Sequence, residues 1–292
     1  MGGRLAELSI PPERRGGAGS VAATHRWGRP DRRPRGIVSG MTRPSALSAA
    51  AAGAGVAAGL VAGLVHAGPA VLTLRRLRTR LAPALAGVGR PGHIALTFDD
   101  GPDPGSTPLF LEVLAELDVH ATFFVLGTQL RRAPSLAAEM VAAGHELAVH
   151  GWDHRPLPLR GPRATHDSLA ATRDLVSELT GRPPRFVRPP HGILSTPVLR
   201  SARRLDLTPV LWTTWGKDWT AEATPRTVLA TIAATMRPGA TVLLHDSDCT
   251  SAPGAWRSAL GALPELAARC HDAGRTLGPL SEHGAPAGRD RT

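Results

Sequence analysis

The chain has 292 residues, 42% of them hydrophobic, which is enough for one large domain or two small ones with a proper core. Its formal net charge of +10 points first to nucleic acid or anionic lipid, but the arginine excess lies in residues 1–90, and residues 91–292 are close to neutral. That distribution excludes a phosphate-tracking surface on the globular part, so no nucleic-acid partner is expected.

Residues 1–43 are rich in Gly, Pro and Arg, lack apolar periodicity and read as a disordered basic leader. Met41 is an alternative start, with the preceding residues an over-extended reading of the gene. Residues 44–74 form an apolar stretch without a fixed charge, long enough to be a signal or membrane anchor, and 75–91 read as a linker. Arg75, Arg76, Arg78 and Arg80 follow the stretch and compete with the arginines before it, so its orientation is open.

From His93 onward, apolar runs at about 94–98, 121–126, 146–150, 185–188, 208–212, 240–245 and 275–280 read as strands. Helical stretches fall between them. One opens at Thr107-Pro108; "SLAAEMVAAGHE" closes on Gly144 and "DSLAATRDLVSELTGR" on Gly181. "TPRTVLATIAATMRPG" runs to Gly239, and "WRSALGALPELAARCHDAGR" to Gly274. Strand–helix alternation predicts a parallel sheet with helices outside, either an open doubly wound sheet or an incomplete barrel. Residues 281–292 read as a flexible tail. Cys249 and Cys270, without a C-x-x-C, allow one disulfide or two free thiols.

The polar residues gather at the predicted strand ends. Asp99 and Asp100 follow the first run, His150 ends the third with His154 four residues on, and Arg188 ends the fourth. Asp218 and Trp219 follow the fifth, and His245 ends the sixth. In parallel α/β folds these ends share one face, where active sites are built. The i, i+4 pair in "HGWDH" can turn two imidazoles toward one divalent ion, and an Asp from another strand end completes a His₂-carboxylate set. Bland readings stand beside these: a structural ion pair for Arg188, a turn cap for Asp218, packing for Trp219, and core for Leu243.

The strand-end motifs resemble those of the carbohydrate esterase 4 polysaccharide deacetylases, or NodB homology domains. "TFDDGP" (97–102) and "HGWDH" (150–154) match the family's first two motifs, and "RPPHG" (188–192), "WGKDW" (215–219) and "LLH" (243–245) resemble the other three, in family order over about residues 92–280. The resemblance implies a distorted (β/α) barrel of about seven parallel strands. It also implies hydrolytic removal of N-acetyl groups from a GlcNAc-containing glycan such as peptidoglycan or chitin. Asp100, His150 and His154 would bind a divalent metal, Zn²⁺ first, with Co²⁺, Ni²⁺ or Mn²⁺ as alternatives. Asp99 would be the base toward a metal-activated water, held charged by Arg188. His245 would be the acid, oriented by Asp218. The His191 N–H would hold the oxyanion, and Trp219 and Leu243 would line the acetyl pocket.

The chain departs from the family at Gly151, where Ser or Thr is usual, at His191, where Tyr is usual, and at Trp215, where an acid is common. The alternatives are an amidase or esterase on another small acetylated substrate, and a non-catalytic carbohydrate-binding relative. The expected setting is extracytoplasmic, secreted or anchored through 44–74, and monomeric.

Overall fold

The computed structural model describes residues 46–284; the leader expected at 1–43 and most of the expected tail lie outside the described residues. Helix α1 (Ala46–Ala67) runs through a 3-10 turn (Gly68–Thr73) into α2 (Arg75–Leu81). The window Val56–Thr73 has a mean hydropathy of 1.7 with none of it buried.

The stretch expected to be a linker is packed onto the body. Arg78 and Ala86 are buried, Leu72 and Leu85 pack against a core cluster, and the Leu211 N–H donates to Leu85 O. Within the expected tail, His283 is also fully buried.

Eight strands follow: β1 (His93–Asp99), β2 (Thr122–Val125), β3 (Glu146–Val149), β4 (Phe186–Val187), β5 (Thr208–Pro209), β6 (Thr214–Trp215), β7 (Thr241–His245) and β8 (Thr276–Gly278). They pair in the order β5-β4-β3-β2-β1-β7-β6, every pair parallel, and β8 adds to the start of β1. The result is a curled half-barrel whose unpaired edges are β5 and β6. Most of the expected strands fall where their apolar runs lie. The two-residue β6 follows an expected strand that ends early, at Pro209.

Helices α3 (Thr107–Glu116), α4 (Gly127–Arg132), α5 (Pro134–Ala142), α6 (Pro162–Thr180), α7 (Thr196–Arg204), α8 (Pro225–Thr235), α9 (Trp256–Leu260) and α10 (Leu263–Asp272) pack outside the sheet. Their ends are set by local chemistry. The Thr224 and Thr227 side chains form a reciprocal cap on α8, and Gly181, at φ +67°, ends α6 in a left-handed turn.

All seven residues of β1 are buried, as expected of a strand covered on both faces. Alternation still sorts them. Ile94, Leu96 and Phe98 face the helices, where Phe98 lies 4.9 Å from Phe123 and 5.1 Å from Phe110, ring centre to ring centre. Thr97 and Asp99 take the opposite, interior face, where both meet Arg188. In register, Asp99 lies opposite Phe124 on one side and His245 on the other. The last residues of β1 and β7 therefore open side by side at one rim.

Candidate active site

At that rim a cavity of about 310 Å³ is lined by Asp99, Asp100, His150, His154, His191 and His245, with an aromatic and aliphatic wall that includes Trp219 and Leu243. Asp99 is 3% exposed. Its Oδ1 accepts from Arg188 Nη1 at 2.7 Å, and its Oδ2 lies 3.8 Å from His150 Nε2. Asp100, at φ +78°, turns back where an ordinary strand residue would point away, which is how two consecutive carboxylates reach one pocket.

The Asp100 Oδ1 atom is 3.3 Å from His150 Nε2 and 3.3 Å from His154 Nε2, is buried, and has no hydrogen-bond partner among the described residues. Its other oxygen accepts from Thr250 Oγ1 at 2.5 Å. His150 Nδ1 donates to Arg188 O at 2.8 Å, which fixes the tautomer and turns Nε2 and its lone pair inward. Three donor atoms within 4.8 Å of one another, one of them an orphaned carboxylate oxygen, make a set that fits a divalent ion. Burial by itself raises the Asp100 carboxyl, but the His150 ring, with His245 and His154, outweighs it and holds the carboxyl well below the usual carboxylate range. Burial pushes the His154 ring down to about 4, with His150 and His191 adding to it against Asp100, so the ring is neutral and able to ligate at ordinary pH.

Arg188 is fully buried and completely engaged. It donates to Thr97 Oγ1 (2.9 Å), Val210 O (3.2 Å) and Leu211 O (2.8 Å) as well as to Asp99, and its guanidinium lies 4.0 Å from the Phe124 ring centre. An ion pair with this many partners holds Asp99 in one orientation.

Across the cavity, Asp218 Oδ2 accepts from the His245 backbone N–H at 2.7 Å, and Oδ1 meets the ring Nδ1 at 3.1 Å. Burial pushes the His245 ring down, but the Asp218 charge and hydrogen bond, aided by Asp100 and Asp99, lift it to about 10. The Trp219 ring stands edge-on to His245 at 5.6 Å. His191 sits at φ +58° with its ring 4.3 Å from that of His154, and its backbone N–H makes none of the hydrogen bonds found among the described residues.

The structure thus gathers all ten candidate residues; Arg188 and Asp218 act from behind the cavity wall. Sequence reasoning missed Trp212, Thr250 and Ser251, which also line the cavity, and saw Trp215 only as a departure. The unusual "HDSDC" run did flag this loop, but contact with Asp100 comes from the next residue along, Thr250. Gly151 lies at φ +102°, where a Ser or Thr side chain would be strained. Cys249 and Cys270 are not bonded to each other: Cys270 is in the core, and Cys249 Sγ donates to Asp100 O at 3.4 Å.

Comparison with known proteins agrees with this fold. The polysaccharide deacetylase profile matches residues 86–210. The chain is 43% identical over 154 residues to a chitooligosaccharide deacetylase of Bradyrhizobium sp. (strain ANU 289), covering 52% of this chain and 70% of that protein. It is 36% identical over 204 residues to the chitooligosaccharide deacetylase of Sinorhizobium fredii (strain NBRC 101917 / NGR234), covering 68% of this chain and 94% of that one. Among solved structures, the peptidoglycan deacetylase PdaC from Bacillus subtilis superposes with a TM-score of 0.57 at 29% identity, over 65% of this chain and 89% of that one. With 36% identity over nearly the whole length of one such relative, the chain belongs to the polysaccharide deacetylase family.

Proposed function

We propose that the protein hydrolyses the acetamido group of an N-acetylated glycan, releasing acetate and leaving a free amine. The observation that carries this reading is the placement of Asp99. It faces the same cavity as Asp100, His150 and His154, with His245 opposite. The alternative orientation, into the helix-facing core, is taken by Phe98.

Asp100, His150 and His154 would hold a divalent metal, and their one-oxygen, two-nitrogen set suits Zn²⁺ first, then Co²⁺, Ni²⁺ or Mn²⁺. Once bound, that ion would polarise the acetyl carbonyl and lower the pKa of a water beside it. Asp99 accepts the water's proton on Oδ2 while Arg188 pins Oδ1 and balances its charge. The His191 N–H, unused by the fold, stabilises the negative charge that develops on the carbonyl oxygen. His245, protonated through its pairing with Asp218, gives its Nε2 proton to the departing amine as the C–N bond breaks. Trp219 and Leu243 surround the acetyl methyl.

The relatives named above act on chitooligosaccharide and on peptidoglycan, and this chain's substrate is assigned to the same class of acetylated glycans. The exposed apolar segment 56–73 supports an extracytoplasmic enzyme held at a membrane or secreted from it.

The test is acetate release by the full chain from chitooligosaccharides and from peptidoglycan, with and without chelator and added Zn²⁺ or Co²⁺. Activity should vanish with chelator, return with metal, and fall by about 10²–10⁴ in Asp99→Asn. Near-normal turnover in that variant would overturn the base assignment. Acetate released only from small acetyl esters would replace the glycan reading with an esterase.

A further inference from the structure

A second cavity of about 690 Å³ lies apart from the catalytic rim, between α2 and the turn that joins α8 to β7. Arg75, Arg76 and Arg80 come to it from α2 and Arg237 from the turn, and no acidic residue lines it. Among the described residues none of the four arginines has a carboxylate within ion-pair distance. Arg75 donates to Thr213 O at 2.9 Å and Arg237 to Met236 O at 3.0 Å, and among the described residues these are the only side-chain hydrogen bonds of the four arginines.

Four cations around one concavity repel one another and cost stability unless an anion is shared between them. The surroundings narrow the choice of anion. Arg75 comes two residues after an apolar window in which Val56, Leu60, Leu64 and Val71 are each more than half exposed. Leu74, just before α2, and Leu81, its last residue, are 61% and 70% exposed and bracket Arg75, Arg76 and Arg80 in the sequence. Exposed leucines interleaved with arginines at the end of an apolar helix are the composition of a membrane–water boundary.

We propose that this cavity binds the headgroup phosphate of an anionic phospholipid in the bilayer that the apolar segment enters. The site would seat the catalytic domain against an anionic membrane surface. It also gives a reason for arginines on the far side of an anchor, where orientation rules alone do not call for them. The inference rests on reading 56–73 as membrane-associated and is independent of the catalytic assignment.

The experiment uses the full chain in non-ionic detergent. Dioleoylphosphatidylglycerol, dioleoylphosphatidylcholine and inorganic phosphate are titrated separately, and retained lipid is counted by native mass spectrometry. Arg76→Gln, Arg80→Gln and Arg237→Gln are combined in one variant; the three side chains are exposed, and among the described residues their one hydrogen bond is that of Arg237 to the neighbouring Met236 O, so its melting temperature should equal or exceed the parent's. The parent should retain phosphatidylglycerol about tenfold or more in preference to phosphatidylcholine, and the variant should lose that preference. Equal retention of both lipids, an unchanged preference in the variant, or displacement of phosphatidylglycerol by equimolar phosphate would overturn the proposal. Flotation with pure phosphatidylcholine vesicles reads the apolar helix alone. Failure there overturns the proposal at its membrane premise, whereas failure of lipid selectivity with flotation intact overturns the headgroup site and leaves the anchor standing.

Discussion

Asp218 grips His245 twice, by its ring and by its backbone, so the carboxylate sets both where the imidazole stands and how readily it holds a proton. Against burial, which favours the neutral ring, Asp218 is the main cause that lifts it to about 10. In the proposed role of general acid His245 must be protonated to act, and this lift keeps it protonated well above its ordinary range. In Asp218→Asn the ring loses its counter-charge and its pKa falls. The alkaline limb of the kcat profile should move to lower pH, with kcat reduced about tenfold or more near neutrality. A pH–rate profile checks this, and a limb that stays in place removes Asp218 from the acid's support. Thr250 does for Asp100 what Asp218 does for His245. It holds Oδ2 and so leaves Oδ1 as the oxygen presented to His150 and His154. Position 151 lacks the hydroxyl of the Ser or Thr usual in the family, since its backbone at φ +102° favours glycine, and Thr250 brings a hydroxyl to Asp100 from another loop. Thr250→Val should weaken Zn²⁺ affinity about tenfold to a hundredfold in a chelator competition, and Thr250→Ser should restore it.

The half-barrel has a seam, and the seam is closed by arginines in place of a strand. Beyond β5 the chain crosses to β6 through Val210, Leu211, Trp212 and Thr213, whose carbonyls face no partner strand. Arg188 takes the first two, Arg78 the third at 2.5 Å, and Arg75 the fourth at 2.9 Å. Arg78 also lies over the Trp212 ring, 5.0 Å from its centre, and Trp212 lines the catalytic cavity. Arg78→Met should leave a buried carbonyl unsatisfied and lower stability by about 1–3 kcal/mol, read as a shift in denaturation midpoint. The matched change Arg76→Met, at an exposed position, should leave the midpoint in place. The same seam shows what a sequence can convey. Apolar β-branched runs marked most of the strands, because covered parallel strands are continuous in hydrophobicity. Strand-end placement marked Asp99, Asp100, His150 and His245, because each closes or directly follows such a run, and the i, i+4 spacing from His150 marked His154. Arg78 and Thr250 left no such mark. Arg78 bonds a carbonyl 134 residues away and Thr250 a carboxylate 150 residues away, and single long-range hydrogen bonds impose no periodicity on either segment. Residues 75–91 therefore read as a linker although they help to complete the barrel.

For the molecule as a whole, the buried titratable groups away from the catalytic rim set the response to acid. His283 Nε2 donates to Gly87 O at 3.1 Å, so its Nδ1 accepts from His93 Nδ1 at 2.9 Å, and both rings are neutral. Burial pushes His93 down to about 4, with His283 and Arg90 adding to it, and burial likewise lowers His283. His145, which accepts the Ala121 N–H and faces His120, is pushed down to about 4 by burial. In each case the unfolded chain binds a proton near pH 6.5 that the folded chain refuses until a lower pH, about 4 for His93 and His145, so stability falls as pH drops below 6.5. Two buried carboxyls oppose this. Burial raises Asp246 to about 7 and raises Glu146, so the folded chain binds their protons first and gains stability as pH falls. Glu282, 3.8 Å from His93 Nε2, offsets part of the cost once His93 is protonated. Three refused protons, with His154 a fourth once the metal is stripped, against two favoured ones leave a net loss on acidification, each proton contributing about 1.4 kcal/mol per pH unit where its difference is complete. Metal-stripped protein should therefore melt at a lower temperature at pH 4.5 than at pH 6.5. His145→Gln, whose amide oxygen can still accept the Ala121 N–H, should make that decline shallower, and Asp246→Asn, which removes an opposing carboxyl, should make it steeper. Melting curves of the three proteins across the window test both signs together, and a decline unchanged in His145→Gln would show that this ring is already protonated in the fold.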